Sequence, residues 1–140
     1  MLTNDDRCFA CGAQNPDGLR LEFTYAPEGA KAQTYFVPDR KYQGWQDIVH
    51  GGIIMTLLDE TMAKAAVHGG FSVLTGEITA KFKNPARIME QLRCEAEIRE
   101  IKKKVVYASA AVYAANGTII AEATAKMVIA PNTQDAGSTV

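Results

Sequence analysis

The stretch from His50 to His68, HGGIIMTLLDETMAKAAVH, constrains the fold more than any other part of the chain. Leu, Met and Ala dominate its interior, no proline interrupts it, Gly51-Gly52 opens it and Gly69-Gly70 follows it. That composition between breakers predicts one helix of about five turns. At about 100° per residue, Ile54, Met55, Leu58, Met62, Ala65 and Ala66 share one broad face. Thr56, Glu60 and Lys64 fall opposite, but Ile53, Leu57 and Val67 intrude among them. A helix apolar on nearly every side has to be wrapped. A curved antiparallel sheet folded around it does so, with the helix covering one sheet face. Asp59 falls at the edge of the apolar face, beside Met55, Ala63 and Ala66. A carboxylate there is either badly placed or placed for chemistry.

The flanking sequence supplies such a sheet. Residues 1–18 read as an irregular leader ending in the turn signal Asn15-Pro16-Asp17-Gly18. Leu19, Leu21 and Phe23 alternate with polar residues and predict a half-buried strand; Ala30 to Val37 predicts its hairpin partner across Pro27-Glu28-Gly29. Pro38 to Val49 is a loop. After the helix, Ile78, Ala80 and Phe82 alternate with Thr79, Lys81 and Lys83 until Asn84-Pro85. Leu92–Ile101, Val105–Ala115 and Thr118–Ala130 follow, giving a meander of three or four strands after the helix, joined by Lys102-Lys103-Lys104 and by Asn116-Gly117, the latter predicting a type I′ turn. The tail from residue 131 to 140 is small and polar and is expected to fray. The whole is one α+β domain over residues 1–140. Its outer strands remain open edges, which predicts pairing with a second copy.

Bulk properties narrow the function. A net charge of −1 argues against a nucleic-acid partner, which needs clustered positive charge. No apolar run approaches the length that spans a bilayer, so no membrane partner is expected. The polar start MLTNDDRC lacks the apolar core of a secretion signal, and three cysteines suit a reducing compartment; both point to the cytoplasm.

Several residues could carry chemistry. His50-Gly51-Gly52 opens a helix, where the first N–H groups lack internal partners and carry the positive end of the dipole. They can hold a carbonyl oxygen as it becomes an oxyanion, or they can simply form a tight turn. Asp59 is a general base or nucleophile, or a carboxylate paired with Lys64 or across an interface. Glu60 lies 100° further round, solvated or at an interface. Thr75, at the start of the strand after the helix, can orient a water or the carboxylate, or serve only as a β-former. Cys8-x-x-Cys11-Gly12 looks like half a zinc site, but Cys94 and two histidines have no matching spacing, so no metal is expected and both cysteines are read as anchors of the leader. Lys102 to Lys104 and Arg87 are solvated cations or contacts for an anionic ligand.

HGGIIMTLLDE, followed after a short loop by TGEITAKFKNPA, resembles the hotdog-fold acyl-CoA thioesterases of the phenylacetic-acid-degradation type. The leader CFACGAQNPDGLRLEF resembles that of one subgroup of the superfamily. The resemblance implies a long helix wrapped by an antiparallel sheet, paired into homodimers and often tetramers. It implies hydrolysis of an acyl-CoA to a free acid and coenzyme A, with no cofactor beyond the substrate's own coenzyme A. By that resemblance Asp59 drives attack on the thioester carbonyl, directly or through water. The Gly51 N–H polarises the carbonyl, with Gly52 beside it, His50 orders the turn and Thr75 assists. Some relatives carry an Asn before the His; here Gly44 stands there, and Gln46, two residues on, is the candidate to position water. Arg87 and Lys83 become candidates for the coenzyme A phosphates. Trp45, Tyr42 and Phe71 hint at an aromatic or medium acyl chain. Two other functions stay open: a non-catalytic acyl-CoA sensor, and a hydratase or dehydratase on the same fold.

Overall fold

A computed structural model describes residues 2–131; the expectation of a frayed tail falls, from residue 132 on, outside the described residues. Six strands form one antiparallel sheet: β1 (Phe23–Tyr25), β2 (Lys31–Phe36), β3 (Val73–Phe82), β4 (Leu92–Lys102), β5 (Val105–Ala114) and β6 (Ile119–Ile129). The single helix, α1 (Gly51–His68), separates β2 from β3. Strand order is β1-β2-β4-β5-β6-β3. The meander after the helix therefore has three strands, not four. β4, β5 and β6 form it, but β3 crosses to the far edge and pairs with β6 from Val73↔Ile129 to Phe82↔Ala121. The β1-β2 hairpin already occupies the flank of β4. α1 thus joins strands near opposite edges and lies across the sheet. This is the hotdog fold.

The sheet accepts the helix because its inner face is small. Cys94, Ala96, Ala108, Ala110, Ala123 and Ala125 are all buried, and their short side chains let α1 approach closely. Longer residues, Leu92, Val106, Val112 and Met127, complete the core around them. On α1, Ile54, Leu57, Leu58, Thr61, Met62, Ala65 and Ala66 are buried. Leu57 falls among the polar residues on a helical wheel, yet it is 0% exposed, as Leu58 is. Wrapping therefore extends beyond the face that the sequence marks as apolar. Cys94 caps the contact, its Sγ lying 3.5 Å from the Leu57 carbonyl oxygen. The helix ends in a Schellman motif: Gly70 at φ +98° donates to the Val67 carbonyl and Phe71 to that of Ala66. No helix is long and apolar enough to cross a membrane among the described residues.

Two local expectations are corrected. Leu19 and Leu21 are buried, but the strand there is only Phe23–Tyr25. Arg20 sits at φ +54°, and the N–H groups of Leu19 and Leu21 donate to the carbonyls of Phe9 and Ala10, at 2.9 Å each. The leader takes the hydrogen bonds a longer strand would have used. At Asn116-Gly117 only Gly117 has positive φ, and Gly117 N–H donates to the Ala114 carbonyl. That is a type I turn over 114–117 followed by a glycine bulge, not type I′.

If α1 is enclosed on all sides, Leu57→Ala should destabilise the protein as much as Leu58→Ala, by about 2–5 kcal/mol. Val67→Ala, at a position 55% exposed, should stay within about 0.5 kcal/mol of wild type. Urea unfolding of the three variants measures this. A Leu57→Ala cost close to that of Val67→Ala would contradict the enclosure.

Candidate functional site

The site is built from the two ends of β3 and from α1. At the start of the helix, His50 is the N-cap at φ −59° and ψ 134°, and its Nδ1 accepts the Gly52 N–H at 2.8 Å. That bond fixes the imidazole tautomer with its hydrogen on Nε2. It also occupies Gly52, so Gly52 orders the turn and is not a free donor. The Gly51 N–H makes no hydrogen bond among the described residues. It stands at the positive end of the dipole as the open donor. The preceding loop holds this turn in place: His50 N–H donates to the Tyr42 carbonyl at 2.8 Å and Val49 N–H to the Ala86 carbonyl at 2.9 Å. Gly44 is there for room, since a Cβ on it would lie 3.2 Å from the His50 Cα. Gly44, Trp45, Ile48, Val49, His50 and Gly51 line a shallow cavity of about 410 Å³.

Two turns along α1, half-buried Asp59 accepts a hydrogen bond from Thr75. The Oγ1–Oδ1 distance is 2.6 Å, short because the acceptor is a carboxylate. Thr75 reaches it through a bulge. β3 pairs with β6 as Thr75↔Met127 and then, after a register shift, Glu77↔Lys126 and Ile78↔Ala125. Residues directly opposite share a face, so Thr75 lies on the inner face with Ile78, Ala80 and Phe82, although simple alternation would put it outside. Neither Asp59 nor Thr75 lines the cavity at Gly51. Eight residues of helix, about 12 Å, separate the open N–H from the carboxylate.

The other sequence-predicted residues divide. Arg87 is exposed, and its backbone forms an isolated bridge with Ile48 of the cavity loop. Lys83 is engaged on the outer surface with Glu122 at 3.1 Å. Gln46 is exposed and does not line the cavity. The glutamine that works in this loop is Gln43, whose Oε1 accepts from Arg40 and from the Asp47 N–H. Trp45, one of the aromatics taken as a hint of the acyl chain, is 85% exposed and lines the cavity. Phe82 was missed: a Cβ on Gly51 would meet its ring at 3.7 Å, so it stands beside the open N–H.

Among the described residues Lys64 makes no salt bridge with Asp59, and Glu60 is half-buried. The leader lies over both. Cys8 Sγ is 4.0 Å from Glu60 Oε1, and Cys11 is beside Glu60 and Lys64. Burial and the neighbouring Glu60 carboxylate push the Cys11 thiol up to about 12. Burial, the largest cause, pushes the Cys94 thiol up to about 12, against the opposing hydrogen bond with Thr61, which suits a core residue.

The architecture, with a helical carboxylate and an open helix-terminal N–H, defines a hotdog-fold domain. A family model described as the thioesterase superfamily matches residues 46–121, more than half of the chain, and the chain belongs to that family. Among curated proteins it is 25% identical over 103 residues to human acyl-coenzyme A thioesterase THEM5, covering 74% of this chain and 40% of that protein. It is 25% identical over 115 residues to Xenopus laevis acyl-coenzyme A thioesterase THEM4, covering 80% and 52%. The chain thus spans about half the length of those relatives or less. Among solved structures, the E. coli PaaI protein of the phenylacetic acid degradation operon superposes with a TM-score of 0.74 at 17% identity, covering 80% of each chain. A Streptococcus mutans protein bound to acetyl CoA gives 0.73 at 16% identity, covering 79% of this chain and 88% of that one. A Streptococcus pneumoniae protein described as a hypothetical thioesterase, TM-score 0.73 at 14% identity in both variant forms, has been solved with one aspartate and, separately, one threonine replaced by alanine. Those variants cover 86% and 78% of this chain and 95% and 88% of theirs.

The His50 cap yields a direct expectation. His50→Ala should destabilise the protein by about 1 kcal/mol, within the usual range for a lost N-cap, while His50→Asn, which retains a side-chain acceptor, should recover most of it. Urea denaturation distinguishes them. Equal losses in both variants would mean that the Gly52 N–H bond is not what His50 contributes.

Proposed function

We propose that the protein hydrolyses an acyl-CoA thioester to a free acid and coenzyme A, at a site completed by two copies of the chain. The observation that carries this reading is the Asp59–Thr75 pair held apart from the Gly51 N–H on the same helix. Thr75 occupies Oδ1 of Asp59, leaving Oδ2 for the reaction. Asp59 takes a proton from an attacking water, or attacks the carbonyl itself to give an anhydride that water then opens. In either route the Gly51 N–H holds the carbonyl oxygen as its charge grows, the C–S bond breaks, and coenzyme A leaves as thiolate. Family membership supports the chemistry, as do the acyl-CoA thioesterase names of the curated relatives. The aspartate and threonine altered in the Streptococcus pneumoniae protein are sixteen residues apart in its numbering, as Asp59 and Thr75 are here.

Groups acting on one carbonyl must converge to within about 3–3.5 Å of the reacting atoms, and a 12 Å helical separation does not allow that. β3 offers the remedy. It is a ten-residue edge strand with Leu74, Thr75, Gly76 and Phe82 exposed. An edge of that length is a template for a second strand. Gly51 stands by Phe82 at one end of β3, and Asp59 by Thr75 at the other. Antiparallel pairing of β3 with its copy brings the Phe82 end of one chain to the Thr75 end of the other, and two equivalent sites follow by symmetry. Exposed Arg87, close to the cavity loop, is then the better candidate for a phosphate contact than Lys83, which already has Glu122. Gln46 remains only a candidate to position water. An acyl-CoA sensor would bind the same ligands without turnover.

Complementation tests this. Asp59→Asn should lower turnover about 100-fold or more while leaving the melting temperature near wild type, because the amide keeps the shape but not the base. Gly51→Pro removes the N–H, and the fold tolerates it: Gly51 is the first helical residue, where proline is favoured, and His50 has the extended backbone that precedes proline. Each variant alone should be nearly inactive. Refolded together in equal amounts, about half the dimers are mixed and each carries one intact site, so roughly a quarter of wild-type activity should return. Folded, dimeric variants that regain nothing on mixing would place the site within one chain. Coenzyme A esters that bind to wild type but are never cleaved would favour the sensor.

A further inference from the structure

The leader and the helix together form a cluster that the thioesterase chemistry does not use. Cys8, Cys11 and Glu60 each present one donor atom, all within 4.8 Å of one another and all half-buried. From spacing alone Cys8-x-x-Cys11 lacks partners, because Glu60 is fifty-two residues away from Cys8. The structure supplies that partner by folding the leader onto α1.

The turn is built around a sulfur. Cys8 Sγ accepts the Ala10 N–H at 3.3 Å and the Cys11 N–H at 3.4 Å. Two backbone donors on one sulfur stabilise a thiolate and fix its direction, as hydrogen bonds around metal ligands do. Gly12 closes the turn by donating to the Cys8 carbonyl at 2.9 Å, and nothing larger fits: a Cβ there would stand 2.4 Å from the Cys8 nitrogen. Ala10, between the cysteines, is 4% exposed, and its carbonyl and that of Phe9 are tied to Leu21 and Leu19. Both thiols are thus held at one place over α1. Lys64, one turn beyond Glu60, lies beside Cys11.

We propose that Cys8, Cys11 and Glu60 bind one zinc-like divalent cation, which staples the leader to the central helix. Two thiolates and a carboxylate suit zinc, whereas magnesium and calcium demand oxygen ligands. Tetrahedral bonds of about 2.3 Å to sulfur and 2.0 Å to oxygen put these donor atoms about 3.5–3.8 Å apart. The observed cluster needs only a small contraction to reach that. Charge also balances. Two thiolates and a carboxylate carry −3, the ion brings +2, and the Lys64 ammonium supplies the remaining +1. Three protein ligands leave the fourth position to water. Binding releases the two thiol protons and involves no redox step.

The test uses the full chain, reduced and stripped with a chelator, then titrated with Co²⁺ and with Zn²⁺. Cobalt should give a near-ultraviolet thiolate-to-metal charge-transfer band that saturates near one equivalent, and zinc should displace it. Cys8→Ser and Cys11→Ser should abolish the band. Glu60→Gln, which keeps both thiols, should weaken cobalt binding. Cys94→Ala should leave the band unchanged, because Cys94 is in the core. Zinc should raise the melting temperature of wild type but not of Cys8→Ser. Reduced, folded wild type that takes up neither metal overturns the proposal. So does a band that survives in Cys8→Ser with Cys11→Ser, or one that Glu60→Gln leaves at full affinity.

Discussion

The constraint on which this structure depends is the burial of a helix with no fully polar side. Leu57, Leu58, Met62, Ala65 and Ala66 are each 0% exposed. A flat sheet would cover one face of such a helix and leave the rest in water. The strands therefore curve around it, the inner face is reduced largely to alanine and cysteine, and β3 is carried to the far edge to complete the wrap. The leader covers the flank that the sheet does not reach, the one bearing Glu60 and Lys64.

That enclosure also decides where chemistry can occur. A buried helix can offer polar groups to a ligand only at its ends or at the border of its apolar face. Gly51 is at the first place and Asp59 at the second. His50 occupies Gly52 and so leaves the Gly51 N–H unpaired. Thr75 occupies one oxygen of Asp59 and so leaves the other. In both cases a neighbour takes up one hydrogen-bonding group and thereby aims the next. The rigidity of the helix that positions them also keeps them about 12 Å apart. In the proposed dimer, the free edge of β3, running between the two, is the template on which a second copy would bring them together.

Much of this was legible in the sequence, and the misses have physical causes. The extent of α1 followed from Gly51-Gly52, the absence of proline and Gly69-Gly70, and β4 and β5 followed from alternation. The edge position of β3 did not, because alternation reports which face is buried and says nothing of which strand is the neighbour. Thr75 is on the inner face through a bulge, and one extra residue inverts the parity on which the reading of a strand rests. Its role was inferred from family resemblance, and its bond to Asp59 is now observed. The leader's contact with half-buried Glu60 was not legible, because a helical wheel does not know of a segment that folds back over it. Arg20 and Asn116 misled for a local reason: turn and cap hydrogen bonds displaced the regular conformations that their neighbours favour.

The central claim, a thioester held between two chains, is tested most directly by the structure of a complex. The ligand would be an acyl-CoA analogue in which a methylene replaces the thioester sulfur, so that the carbonyl remains but cannot be cleaved. The account predicts its carbonyl oxygen about 3 Å from the Gly51 nitrogen of one chain, with the carbonyl carbon facing the Asp59 carboxylate of the other. A carbonyl bound by Gly51 and Asp59 of the same chain, or lying away from both, would contradict it.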